Sequence, residues 1–182
     1  MSDNNYPPGE FANQDGITIT DLTLTPPNLG AGLDDILKLS KITKSRFQNV
    51  TVVAGAQIEN ALDMNNGSLG NTFVDLKLDA GQECAIIVKG GSSYNVFSDV
   101  TITRSGGNSN IYLGDYSDQS REKSIANHFD NVRRTDGQAV RISWTFFRAE
   151  KPTFTSSNVS YQYLLSFFRT CYVEAKYLFS KL

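Results

Sequence analysis

Cysteine and histidine are scarce in this sequence. Cys84 and Cys171 are the only cysteines and lie far apart. No disulfide framework of the kind that staples small secreted domains is available, and both residues read as free, partly buried thiols. His128 is the single histidine. With one imidazole, neither a multi-histidine zinc site nor a serine–histidine triad is expected, and its varied neighbours in the repeat described below place it on the outer surface. Charge of one sign is lacking too: 17 Lys and Arg oppose 19 Asp and Glu, a formal net charge of −2. That gives no broad electrostatic basis for binding nucleic acid or an anionic membrane. No apolar run approaches the roughly 20 residues a membrane span needs. The opening Met1-Ser2-Asp3-Asn4-Asn5 lacks the basic-then-apolar order of a secretion signal, so none is expected.

What the chain does hold is enough apolar material for one domain, 40% of 182 residues, arranged in a repeat. Phe47-Gln48-Asn49-Val50 returns as Phe73-Val74-Asp75-Leu76, as Phe97-Ser98-Asp99-Val100 and as Phe129-Asp130-Asn131-Val132. Ile19-Thr20-Asp21-Leu22 is a weaker first copy. The Asn/Asp positions 21, 49, 75, 99 and 131 are spaced by 28, 26, 24 and 32 residues. A chain of this composition would give well under one such tetrapeptide by chance. Two residues before each Phe stand Ser45, Asn71, Asn95 and Asn127. Two residues after the closing Val or Leu stand Leu24, Val52, Leu78 and Ile102, the alternation of a half-buried strand.

A second strand is expected in each repeat, at Ile36–Leu39, Ala61–Met64, Ala85–Val88, Asn110–Leu113 and Ala139–Ile142, with Gly- and Asn-rich turns between. A period of this length with short strands and no helical spacing excludes helical repeats, leucine-rich repeats and propeller blades. One turn of a parallel β-helix fits. Successive coils would then stack about 4.8 Å apart. The recurring Phe residues become an internal file, and Asn71, Asn95 and Asn127 an amide ladder at a bend.

These residues resemble the right-handed parallel β-helices of the pectate-lyase-like superfamily, over roughly residues 16–145. That superfamily includes pectinases, alginate-type lyases, phage tailspikes and autotransporter passengers. The resemblance implies an all-β, right-handed parallel β-helix of about five to six coils. Residues 1–15 read as an extended N-terminal arm and 16–150 as the β-helix. Residues 151–182 read as a C-terminal cap or oligomerisation segment. Its aromatic stretch from Phe154 to Leu182 is read as helix from Leu164, Phe168, Cys171, Ala175, Leu178 and Leu182, with further strands as the rival. The resemblance to tailspikes favours a homo-oligomer, a trimer first. A virion or an extracellular surface is the location it suggests, and the sequence itself leaves localisation open.

Breaks in a repeat carry functional information. An insertion at 115–123 supplies Asp115, Tyr116, Asp118 and Arg121, which with the outward Lys77 form a candidate ligand-binding set for a polysaccharide. Arg134 stands in the column held by Val52, Leu78 and Ile102. With an arginine there the coil opens, or the side chain turns outward through a bulge, or it finds a carboxylate such as Asp130 or Asp136; the commoner explanation is that the solenoid is ending. Some lyases of this superfamily use an arginine as base beside acidic calcium ligands. By that resemblance Arg133, Arg134, Asp75 and Asp99 are the catalytic candidates, and Asp75, Asp79 and Asp99 the candidates for calcium; no other cofactor is expected. The simpler reading of the recurring Asn/Asp is a bend device. An outward array of Thr23, Thr25, Thr51, Thr101 and Thr103 resembles ice-binding surfaces but is interrupted by Lys77 and Asp79. The leading expectation is a non-catalytic structural or binding module, tailspike-like or adhesin-like. A polysaccharide lyase or glycoside hydrolase is the alternative.

Overall fold

The computed structural model describes residues 9–25, 35–53, 58–79, 82–104, 107, 109–114, 122–145 and 149–161. In chain order the strands are β1 (Gly9–Ala12), β2 (Thr18–Thr20), β3 (Thr23–Leu24), β4 (Asp35–Ser40), β5 (Arg46–Val53), β6 (Asn60–Asn65), β7 (Thr72–Asp79) and β8 (Ile86–Val88). They continue as β9 (Val96–Arg104), β10 (Ile111–Leu113), β11 (His128–Asp130), β12 (Arg133–Arg134), β13 (Val140–Trp144), β14 (Thr153–Thr155) and β15 (Val159–Tyr161). The described residues contain no helix.

The chain winds into a parallel β-solenoid of about five full turns. One sheet has the order β1-β4-β6-β8-β10-β13-β15. The other runs β14-β11-β9-β7-β5-β2, with β12 beside β9 and β3 beside β5. A short third side is marked by parallel bridges linking Asp15, Thr43, Leu69 and Ser93, and by Ser124 with Ala149. Register follows the repeat: Phe47 pairs with Phe73, Phe73 with Phe97, and Phe97 with Phe129.

The corners explain the Asn/Asp column. Asp21, Asn49, Asp75, Asp99, Asn131 and Ser156 all have φ between 48° and 57°. Asn and Asp tolerate this left-handed conformation better than other side chains, so one such residue per turn bends the strand at little cost. The corner after the short side is less economical. Gly16 and Gly70 share it with Lys44, Tyr94 and Ala126, whose φ values are 49°, 59° and 51°. Each of those three costs about 1–2 kcal/mol.

The core is a set of columns. The rings of Phe47, Phe73, Phe97, Phe129 and Phe154 stack face to face with centroids 4.6–5.0 Å apart and planes within 11° of parallel. Phe11 closes one end edge-on against Phe47, and Tyr161 closes the other edge-on against Phe154. Beside this file runs the amide ladder. Asn71 Nδ2 donates to Asn95 Oδ1 at 2.9 Å, and Asn95 Nδ2 donates to Asn127 Oδ1 at 3.0 Å. The same oxygens accept the backbone N–H of the residue one turn before.

The paired structure reaches beyond residues 16–150 at both ends. β1 pairs with β4, so Gly9–Ala12 is ordered strand, not free arm. Thr153–Tyr161 extends both sheets, and Phe154 stacks on Phe129, so the solenoid passes the expected start of the cap at 151. The proposed helix and most of the aromatic tail, with Cys171, lie outside the described residues. Cys84 is buried. Among the described residues no helix is long and apolar enough to cross a membrane.

Candidate functional site

Two outward faces differ sharply. On the sheet built around β5, β7 and β9, alternate residues point to solvent. Thr18, Arg46, Thr72, Val96, His128 and Thr153 form one row across six strands by register. Thr23, Thr51, Lys77, Thr101 and Arg133 form another. At about 4.8 Å per strand, such a face is on the order of 24 Å long. Tyr94 stands at the corner leading into β9 with 59% of its surface exposed.

The charged candidates on this face are engaged with neighbours rather than gathered. Asp75 and Asp99 occupy equivalent bends on adjacent turns. Asp99 Oδ1 accepts from Asn131 Nδ2 at 2.6 Å, and the Asp75 carboxylate lies 3.8 Å from Lys77 Nζ with both side chains about half exposed. Asp79 sits four residues from Asp75, about 13 Å along the strand. It forms a two-point ion pair with Arg104, at 2.9 and 3.0 Å. A register shift after Leu78 brings Arg104 opposite it.

Arg134 takes one of the three routes open to it. Its guanidinium grips Asp136 through Nε and Nη2 and reaches Asn110 Oδ1 at 3.5 Å. The hydrogen bond from Arg134 holds the Asp136 carboxyl below its ordinary range. Arg133 points outward beside Thr101. His128 Nδ1 lies 2.7 Å from Thr153 Oγ1. Among the described residues no three of His, Cys, Asp or Glu are grouped to hold a metal ion. Asp115, Tyr116, Asp118 and Arg121 lie outside the described residues.

On the other sheet the middle strands β6 and β8 are buried on the outer face as well as the inner one. Here the structure assembles a cluster that the sequence reading missed. Asp35 and Asp63 are 6% and 1% exposed. Asp35 Oδ1 accepts from Asn60 Nδ2 at 3.0 Å, Asp63 Oδ2 lies 3.0 Å from Lys89 Nζ, and Asn65 Nδ2 donates to Asp63 Oδ1 at 3.4 Å. Asn65 Oδ1 is buried with no hydrogen-bond partner among the described residues. Burial, then the negative charge of Asp63, pushes the Asp35 carboxyl up to about 7, against the smaller opposing pulls of Asn60 and Lys89. The one sequence signal was polar Asp63 and Lys89 standing among the apolar Ala61, Ala85 and Ile87 on the same strand faces.

A raised carboxyl pKa means the folded chain holds a proton that the unfolded chain has released. Its contribution to stability is full below about pH 4 and is lost as pH rises through about 7. The slope from this one group is about 1.4 kcal/mol per pH unit within that window. Asp35→Asn keeps an acceptor for Asn60 and removes the titration. The difference in unfolding free energy between variant and parent should therefore grow in the variant's favour from pH 4 to pH 7, as read by urea denaturation. Parallel stability curves would refute this assignment.

Comparison with known proteins adds no family to these observations: no family model, no curated protein and no solved structure matches the chain.

Proposed function

We propose that this chain is a non-catalytic β-helical module that binds carbohydrate or serves as a structural element at a surface, in the manner of tailspikes and adhesins. One observation carries the reading. The long exposed face presents Thr, Arg and Lys side chains in rows, while its acidic groups are tied up locally by Lys77, Arg104 and Asn131. A flat polar face suits an extended, hydroxyl-rich polymer, which offers donors and acceptors at regular intervals along its length. Tyr94 adds an exposed ring on which a sugar face can pack. The buried pair Asp35 and Asp63 does not favour glycoside hydrolysis, because a sugar must reach both carboxyls.

The test is a glycan array run with an assay for unsaturated oligosaccharide release. Binding without product is expected, and the double variant Lys77→Ala, Tyr94→Ala should weaken it about tenfold, close to 1.4 kcal/mol. Release of unsaturated product would replace this reading with a lyase. Failure to retain any glycan would remove the carbohydrate-binding reading.

A further inference from the structure

We propose that Lys89 and Asp63 condense into an intramolecular amide that ties adjacent turns of the solenoid together. Asp63 belongs to β6, and Lys89 directly follows β8, the strand paired with β6. Their side chains share the outer face of the sheet. Lys89 Nζ lies 3.0 Å from Asp63 Oδ2, and the two side chains are 18% and 2% exposed. Nζ is thus in contact with the oxygen bonded to Cγ, the carbon it would attack, and holding the two groups together in this way raises their effective concentration as in an intramolecular reaction. Neighbouring side chains shield the pair from solvent: Ala61 and Ala85 on this face are fully buried and Ile87 is 5% exposed.

The surrounding groups supply the remaining parts. Asp35 neighbours the Asp63 carboxyl, and burial raises its own carboxyl to about 7, so near neutral pH it carries a proton part of the time. It can therefore protonate a departing oxygen. Asn65 Nδ2 donates to the other oxygen, Asp63 Oδ1, where charge develops when the carbonyl carbon becomes tetrahedral. Asn65 is 8% exposed, which keeps its amide beside the Asp63 carboxyl.

The step balances without an oxidant or a co-reactant. The Lys89 ammonium passes a proton to the Asp63 carboxylate, leaving a neutral amine and a neutral acid. Nζ adds to Cγ, forming the C–N bond. Asp35 protonates Oδ2, which leaves with both its hydrogens as water, and the Asp35 carboxylate takes back the surplus proton from nitrogen. An ammonium and a carboxylate become one amide and one water, and Asp35 is regenerated.

Intact mass spectrometry of the purified chain, incubated near neutral pH, tests the proposal. The expected mass is lower than that of the sequence by one water molecule. Trypsin should fail to cut after Lys89 and should yield a branched product joining segment 47–77 to segment 78–104. Lys89→Arg keeps the positive charge but lacks the amine nucleophile, so it should show the full sequence mass. Asp63→Asn should lose one ammonia in place of one water. Asp35→Asn should slow or stop the condensation while the far-ultraviolet circular dichroism stays that of the parent. A parent chain of full sequence mass, cut normally after Lys89, would overturn the proposal and leave an ordinary ion pair.

Discussion

Truncating the middle of the aromatic file, by Phe97→Ala, should destabilise the chain by about 3–5 kcal/mol, the cost of removing a fully buried ring and leaving a cavity. Phe97 has no exposed surface and lies 4.6 Å, centroid to centroid, from both Phe73 and Phe129. It therefore loses two stacked pairs as well as its burial. Stacked aromatic pairs are each worth about 0.5–1.5 kcal/mol beyond area. Phe154 is the control. It is only partly buried and stacks on a single neighbour, Phe129, so Phe154→Ala should cost less than half as much. Urea unfolding of the two variants measures this. Equal losses at the two positions would mean the file is not a cooperative element.

A loss of about 3 kcal/mol or more is expected for Asn95→Ala, because buried hydrogen-bonding groups would be left unmatched at about 1–3 kcal/mol each. Asn95 Oδ1 accepts both the backbone N–H and the side-chain amide of Asn71, at 3.0 and 2.9 Å. Its Nδ2 donates to Ser68 O at 3.1 Å and to Asn127 Oδ1 at 3.0 Å. Asn95→Asp separates polarity from shape. The carboxylate still accepts from Asn71 but sets bare oxygen against Ser68 O and Asn127 Oδ1. Burial and these contacts raise its pKa, so its stability should fall as pH rises from 4 to 7. Denaturation at both pH values checks this. A pH-independent Asn95→Asp variant would show that the ladder tolerates reversed polarity.

Some of the site was open to sequence reading, and the limits have a physical basis. Asp75 and Asp99 were correctly placed as column neighbours, and the bend reading of that column agrees with the left-handed backbone at both. A carboxylate such as Asp136 is one of the routes the sequence leaves open for Arg134, and the structure shows that pairing. The cluster of Asp35, Asp63 and Lys89 was not legible. Its members are 28 and 26 residues apart, and the period alone does not show that the outer face of that sheet is covered. Phe154 was missed because Phe154-Thr155-Ser156-Ser157 has lost both the Asn/Asp and the Val/Leu of the motif, although it follows Phe129 by 25 residues, within the period.

The sequence by itself determined the winding: its recurring Phe, Asn and Asp set the length of a turn, the interior file and the position of each bend. Those features repeat because every turn meets the same local demands, so they are written in each copy. Only the tertiary structure decided which unlike residues on different turns meet, among them Lys89 with Asp63 and Arg104 with Asp79. Such contacts depend on stacking register, on one local shift after Leu78 and on which outer face is shielded from water, and no single turn contains that information.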